Sequence, residues 1–236
     1  MTPDGPRPPP SNLNLNIATS LDALGSALSS SSSLVILADS EPLAPGAAGT
    51  LLSESSTPDL AEVVIVTKLG ASTAKSGIFG GGDAKLRECE EELKVAAEVR
   101  GVKTSVLRVG TLKGGGPGAV VNGEVVSGED KGLDKYFYDS QAQLEKFMMV
   151  SGHDKFTLGC SLLPGDPLKP SNLLVKQGRS ISFDPFPDEC STITCAAAIS
   201  HLLGRESSVD VTISAEKGED LPTEKEWEAM FSRACA

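Results

Sequence analysis

Val63-Val-Ile-Val-Thr67, then Asp83 to Arg100, then Lys103-Thr-Ser-Val-Leu-Arg-Val109 follow one another along the chain, and their succession decides the fold. The first run is short, β-branched and apolar throughout, the pattern of a strand covered on both faces. In the second, Leu86, Cys89, Leu93 and Ala97 recur at helical spacing, with Glu88, Glu90, Glu91 and Glu92 placed off that stripe. Asp83 is suited to cap the start of this helix and Gly101 its end. The third run returns to strand pattern. Strand, amphipathic helix and strand in that order predict parallel pairing through a crossover, the repeating unit of an α/β fold.

Working outward, Leu34-Val-Ile-Leu-Ala38 is continuously apolar and predicts another strand buried on both faces. Ile17, Leu21, Leu24 and Leu28 place a short helix before it. The connection to Val63 carries Pro42, Pro45, Gly46, Gly49 and Pro58, leaving space for about two turns near Thr50 to Ser56. Beyond the third run, Gly114 to Gly118 leads into Val120-Val-Asn-Gly-Glu-Val-Val126, where Asn122-Gly123 between valine pairs predicts a hairpin. Leu133 to Val150 reads as a helix, the stretch to Pro170 as Pro-rich, and Leu173 to Phe183 as a second hairpin around Gln177-Gly178. Ile193 to Leu203 predicts a buried helix ending at Gly204, and Val209 to Ile213 the last strand. A helix from Thr223 to Ala234, with Trp227, Met230 and Phe231 on one side and a Thr223/Glu226 capping box, closes the chain.

Composition narrows the partners. Thirty-two acidic against 21 basic residues give a net charge of -11 over 236 residues, which repels phosphate backbones and anionic headgroups. Nucleic acid is therefore not expected as a partner, and no apolar run reaches the roughly 20 residues of a membrane span. Five scattered cysteines, Cys89, Cys160, Cys190, Cys195 and Cys235, favour a reducing compartment over a disulfide framework. With two histidines, His153 and His201, and no Cys-x-x-Cys, no metal site is expected. Met1 to Ser11, with five prolines in its first ten residues, reads as a disordered tail without secretory or transit character. Either targeting is absent or the true N-terminus lies upstream.

Val63-Val-Ile-Val-Thr-Lys-Leu-Gly70, Lys85 at the head of an acidic helix, Thr104-Ser-Val-Leu-Arg-Val-Gly-Thr-Leu112, and the closing Leu221-Pro-Thr-Glu-Lys-Glu-Trp-Glu-Ala-Met-Phe231 together resemble the atypical short-chain dehydrogenase/reductases, most of all the plant and algal plastid NAD(P)-binding type. The resemblance covers roughly residues 34–126 and 178–231. It implies a partial Rossmann-like, doubly wound parallel sheet of α/β class with a small hairpin and helix insertion at about 127–180. The single domain would occupy 17–236 behind a tail at 1–16. It also implies NAD(P) as the cofactor, a chloroplast location (otherwise cytoplasmic), and a ligand over the carboxyl ends of the strands. Ala38, Asp39, Thr67, Lys85, Val109 and Gly110 would bind it, with Lys85 and Thr67 as the catalytic pair.

The departures from that family bear on chemistry. Four residues before Lys85 stands Gly81, so the phenol of a Tyr-x-x-x-Lys pair is missing. Thr67 keeps a hydroxyl where the family has serine, but Lys68 replaces the next serine and Val109 the proline. Lys85 is either the proton-handling lysine or a surface residue starting a helix. Arg108 either meets an anionic ligand or pairs with a carboxylate. The strand, Gly-x-Gly-x-x-Gly turn and helix that hold a pyrophosphate have no counterpart in the 33 residues before Leu34. Gly77 to Gly82 and Gly114 to Gly118 lack the context of a phosphate cradle.

Three functions follow as expectations: an NAD(P)-binding relative with weak or no reductase activity, a non-catalytic scaffold or regulatory subunit, or a thiol or serine hydrolase using His153 and Cys160. The third lacks any Gly-x-Ser-x-Gly elbow. An uncovered strand at 34–38 would also present an apolar edge, to be met by the N-terminal helix or tail, another subunit or other protein partner, or a missing N-terminal portion of the chain.

Overall fold

The computed structural model describes residues 20–38, 42–72, 81–113, 120–121, 124–125, 157–168 and 186–235. β1 (Ser33–Ala38), β2 (Glu62–Lys68), β3 (Lys103–Val109), β9 (Asp210–Glu216) and β7 (Gly159–Pro164) form one sheet in the order β1-β2-β3-β9-β7. The first four are parallel, with Ile36 beside Ile65, Ile65 beside Val106 and Leu107 beside Val211. β7 closes the far edge antiparallel to β9. Its terminal Pro164 is tolerated because an edge strand needs to donate on one side only.

Helices cover both faces. α1 (Leu21–Ser29) precedes β1, α2 (Ala47–Leu51) joins β1 to β2, and α3 (Gly81–Arg100) joins β2 to β3. Cys89, Leu93 and Ala97 of α3 and Ala48 of α2 pack with Val63, Ile65 and Val106 on one face of the sheet. On the other, Cys195, Ala198 and Leu202 of α4 (Thr192–Leu202) and Trp227, Met230 and Phe231 of α5 (Glu224–Ala234) pack with Val64, Val66, Leu107, Val211 and Ile213. The alternation of Val63 and Ile65 against Val64 and Val66 is the period-2 consequence of a strand buried on both sides. No helix among the described residues is long and apolar enough to cross a membrane.

The topology carries one irregularity that matters for a site. Steps from β1 to β2 and from β2 to β3 run the same way across the sheet, with α2 and α3 on one face. Between β3 and β9 the chain also supplies the edge strand β7, and the helix directly before β9, α4, lies on the opposite face.

Local chemistry explains the element ends. Gly101 at φ 72° ends α3, where its N–H bonds to the Glu98 carbonyl and that of Val102 to the Ala97 carbonyl. Arg100 reaches back from the same turn to the carbonyls of Leu52, Ser53, Thr57 and Pro58, holding the chain between α2 and β2. At the amino ends of the strands the buried Glu62 accepts from Ser33 Oγ at 2.6 Å, from Gly204 N at 3.0 Å and from Lys103. Burial opposes its charge, but these donors outweigh it and hold the carboxyl below the usual range. The capping box of α5 forms as its sequence predicts, with Thr223 N donating to Glu226 Oε2 at 2.7 Å and Glu226 N to Thr223 Oγ1 at 3.4 Å. Thr223→Ala is expected to cost about 1 kcal/mol in urea denaturation.

Several expectations change. β1 is not covered on both sides: Val35 is 36% and Leu37 66% exposed, while Ile36 and Ala38 are buried. α2 and α3 shield one face of β1, and α4 and α5 pack over the sheet nearer β3, β9 and β7. Leu24 of α1 is 44% exposed and so lies outside the core. The turns between β1 and β2 fall at Ala47–Leu51 rather than at 50–56, after Gly46 at φ 79°. α3 starts at Gly81, two residues before Asp83.

The Pro-rich stretch supplies β7, and two strands of three residues, β4 (Thr111–Lys113) and β8 (Glu189–Ser191), pair in parallel. β5 (Val120–Val121) and β6 (Glu124–Val125) pair antiparallel, as the Asn122-Gly123 signal predicts. The tail at 1–16, Asp39, the glycine run 77–80, the loop 114–118, the helix expected at 133–150, His153 and the hairpin at 173–183 lie outside the described residues.

Candidate functional site

In open parallel sheets a ligand crevice forms outside the carboxyl ends of two neighbouring strands whose following segments leave for opposite faces. The segment after β2 goes on to α3 on one face, whereas β4, directly after β3, packs Leu112 against the α4 face, so the carboxyl ends of β2 and β3 are the candidate position for such a crevice. The rims of the crevice are Lys68 to Ser72 and Gly110 to Lys113. A bond from Leu69 N to the Val109 carbonyl, 2.7 Å, carries the β2–β3 pairing one residue past the strands.

Beneath this crevice, on the α3 side, Thr67, Arg108 and Thr212 are ladder neighbours on β2, β3 and β9. Arg108 is 2% exposed and surrounded by carboxylates. Its Nη2 lies 2.5 Å from Glu90 Oε1 and 3.3 Å from Asp210 Oδ2, its Nη1 bonds Asp210 Oδ1, and its Nε stands 3.7 Å from Asp166 Oδ2. Lys94 adds a second cation, 2.8 Å from Glu90 and 3.1 Å from Asp210. Burial disfavours the charge on Arg108, but Asp210 and Glu90 outweigh it and raise its pKa. Burial likewise opposes ionisation of Asp210, and Arg108 and then Lys94 overcome it, so that carboxyl is held below its ordinary range. Of the two readings of Arg108, pairing with carboxylate is the one observed.

Asp166 links this cluster to the crevice. Its Oδ1 accepts from Gly70 N at 2.8 Å, and its Oδ2 accepts from Ser72 N at 3.1 Å and from Ser72 Oγ at 2.7 Å. The segment after the edge strand β7 thus clasps the rim that follows β2, across the two intervening strands β9 and β3.

The residues expected at the site have distinct surroundings. Ala38 is 3% exposed and pairs beside Thr67; Asp39 lies outside the described residues. Thr67 is 1% exposed and its Oγ1 has no hydrogen-bonding partner among the described residues, as is also true of Glu90 Oε2. Lys85 is exposed near the start of α3. Buried Thr67 and exposed Lys85 therefore occupy different environments. Val109 is fully buried among the side chains facing α4, which leaves its backbone as the part facing the crevice.

Gly110 has a structural requirement of its own: a Cβ there would fall 1.9 Å from the Asp188 carbonyl oxygen, and Thr111 N bonds that same oxygen at 2.9 Å. Asp166, Asp188 and Glu90 were not singled out from sequence. Asp166 sits in Leu163-Pro-Gly-Asp-Pro167, a turn composition that carries no information about its distant partners. Glu90, read with the solvent-facing glutamates, is instead 3% exposed because Arg108 lies opposite it.

Thiol chemistry fits poorly. Burial, with the Glu216 charge adding to it, pushes the Cys160 thiol up to about 12. Burial, then Cys195 and Cys160, likewise raises Cys190. A nucleophilic cysteine needs the thiolate, so these sulfurs act as packing atoms. Cys89 and Cys195 are buried too, and Cys235 is exposed. One of the five thiols, Cys235, is expected to react rapidly with Ellman's reagent in the native protein and all five in guanidinium. Fast native release from a second cysteine would contradict the packing. No group of histidine, cysteine and carboxylate side chains among the described residues is placed to hold a metal. Compared with known proteins, the chain matches no family model and no curated protein.

Proposed function

We propose that this chain is a Rossmann-type NAD(P)-binding protein related to the atypical short-chain dehydrogenases, which retains a ligand crevice and has weak or no reductase activity. The observation that carries this reading is the parallel β1-β2-β3 core with α3 on one face and Leu112 of β4, with α4, on the other, which leaves the carboxyl ends of β2 and β3 between the two helical layers. Backbone groups of Lys68 to Ser72 and Gly110 to Thr111, with Asp166 steadying the first rim, form the described walls of the crevice. The weakness of the chemistry follows from Gly81 in place of a phenol, a buried Thr67 and an exposed Lys85. The same resemblance implies a chloroplast location, testable by fractionation.

Calorimetric titration with NADPH and with NADH tests the binding. Saturable heat with at least one of them is expected, with amide shifts at Leu69 to Ser72 and Gly110 to Lys113. Silence with both dinucleotides at millimolar concentration would overturn the proposal. The non-catalytic scaffold is the second reading, favoured by one observation: β1 has no neighbour on its outer edge among the described residues and exposes Val35 and Leu37. A stoichiometric partner that protects β1 amides from exchange, together with no dinucleotide binding, would favour that reading instead.

A further inference from the structure

The outer face of α3 carries a stripe unlike the rest of the protein's helical surface. Glu88, Glu92, Val95 and Val99 follow at spacings of four, three and four, and Val95 is 58% and Val99 85% exposed. A β-branched residue at an exposed helix position sacrifices about half a kcal/mol of propensity relative to alanine, so two on one stripe are not explained by helix stability. Beside them lies a shallow, largely open depression of about 450 Å³ between α2 and α3, bordered by Val95, Ala96, Gly46, Gly49 and the carboxylates Glu88, Glu91 and Glu92, with Val99 one turn beyond it on α3. A Cβ at Gly46 or Gly49 would meet nothing within 4 Å, so the α2 side stands open. Glu92 Oε1 accepts from Gly46 N at 2.8 Å and joins the two walls. Lys94 and Arg100 are engaged elsewhere, with Glu90 and Asp210 and with the 52–58 segment respectively, while Lys85 and Arg87 stand one turn before Glu88 and Glu91, leaving the carboxylates in excess around Val95.

We infer that this α2–α3 groove docks a cationic amphipathic helix of a partner protein, whose lysines or arginines face Glu88, Glu91 and Glu92 and whose apolar side chains seat on Val95 and Val99. Charge complementarity selects the occupant: an acidic rim on a chain of net charge -11 repels nucleic acid and anionic membrane and attracts a basic segment. The walls select its conformation. Both are helices whose backbone groups are internally bonded, so they cannot extend a sheet, and an apolar stripe laid in the groove is the mode they allow. Two valines make a small contact, which fits a transient complex weakened by salt. This docking is independent of the dinucleotide reading.

The test uses the full chain, isotopically labelled, and an 18-residue helical peptide of lysine and leucine with its leucines on one face. A scrambled peptide of the same composition, without that face, is the comparison. The patterned peptide is expected to bind in the micromolar range, shifting amides at 46–52 and 85–99, and the scrambled one at least tenfold more weakly. Val95→Ala/Val99→Ala raises helix propensity while removing the apolar contact, and should also weaken binding about tenfold with the fold intact. Glu88→Gln/Glu91→Gln should flatten the salt dependence. Equal binding of both peptides, shifts centred elsewhere, no binding at all, or an unaltered affinity in the valine double variant would each overturn the inference.

Discussion

Arg108→Ala is expected to cost about 3 kcal/mol in denaturant unfolding, because it removes the one fully buried cation from a carboxylate cluster whose other cation, Lys94, is partly exposed. Glu90 is 3% exposed and keeps only the partly exposed Lys94, while the Asp166 side chain, 3% exposed, loses its cation and keeps the Gly70 and Ser72 donors. Arg108→Lys should recover only part of the loss, since an ammonium cannot reach Glu90, Asp210 and Asp166 from one planar fork. The acid limb of stability should move as well. Asp210, its pKa depressed in the folded state, contributes stability that is present above the unfolded carboxyl value of about 3.9 and is lost as pH falls through the lower folded value. Removing Arg108 leaves the burial that opposes ionisation, so the Asp210 carboxyl should titrate at higher pH in the variant, as read by carboxyl-carbon NMR. A loss below about 1 kcal/mol with an unmoved titration would show that the cluster is solvated.

Gly110→Ala should be comparably damaging for a steric reason. The added methyl would stand 1.9 Å from the Asp188 carbonyl oxygen and 2.6 Å from its carbonyl carbon, backbone atoms that cannot rotate aside. Overpacking against movable side chains costs about 1–3 kcal/mol, and a rigid carbonyl places this substitution at or beyond the upper end. The bond from Thr111 N to Asp188 O is lost if the segments part, and with it the alignment of β4 and β8. Gly165→Ala is the contrast: it meets open space, so only its φ of 66° is strained, at about 1–2 kcal/mol. Equal, small losses for both glycines would contradict the close approach at Gly110.

The parallel core was legible because each of its parts carries its own pattern. β2, β3 and α3 announce themselves through continuous apolar runs and a Leu86, Cys89, Leu93, Ala97 stripe, and their order allows only a crossover pairing. β7 was not legible: Gly159-Cys-Ser-Leu-Leu-Pro164 is bracketed by strand-breaking residues, and its partner β9 lies some fifty residues away. β4 and β8 are too short to show any period. The exposure of Val35 and Leu37 was hidden because an apolar run reads the same whether one face or both is covered. Coverage depends on where α4 and α5 come to lie, which no local pattern in β1 encodes.

At the site, the sequence located the strand ends and gave the choice for Arg108. It could not show which carboxylates converge there. Glu90, Asp166 and Asp210 come from a helix, a turn and a strand widely separated in the chain, and only the sheet order assembles them. Gly110 entered as part of a family pattern, whereas the structure supplies a requirement in the backbone of Asp188, distant in sequence.

The segments leaving neighbouring β2 and β3 are expected to part to opposite faces of one parallel sheet. Methyl–methyl nuclear Overhauser contacts in a methyl-labelled sample test this most directly. Leu93 of α3 should contact Val63, Ile65 or Val106 and none of the other set; Leu202 of α4 should contact Val64, Leu107 or Val211 alone. Contacts from Leu202 to Val63 or Ile65, or between Leu93 and Leu202, would place both helices on one face and remove the crevice.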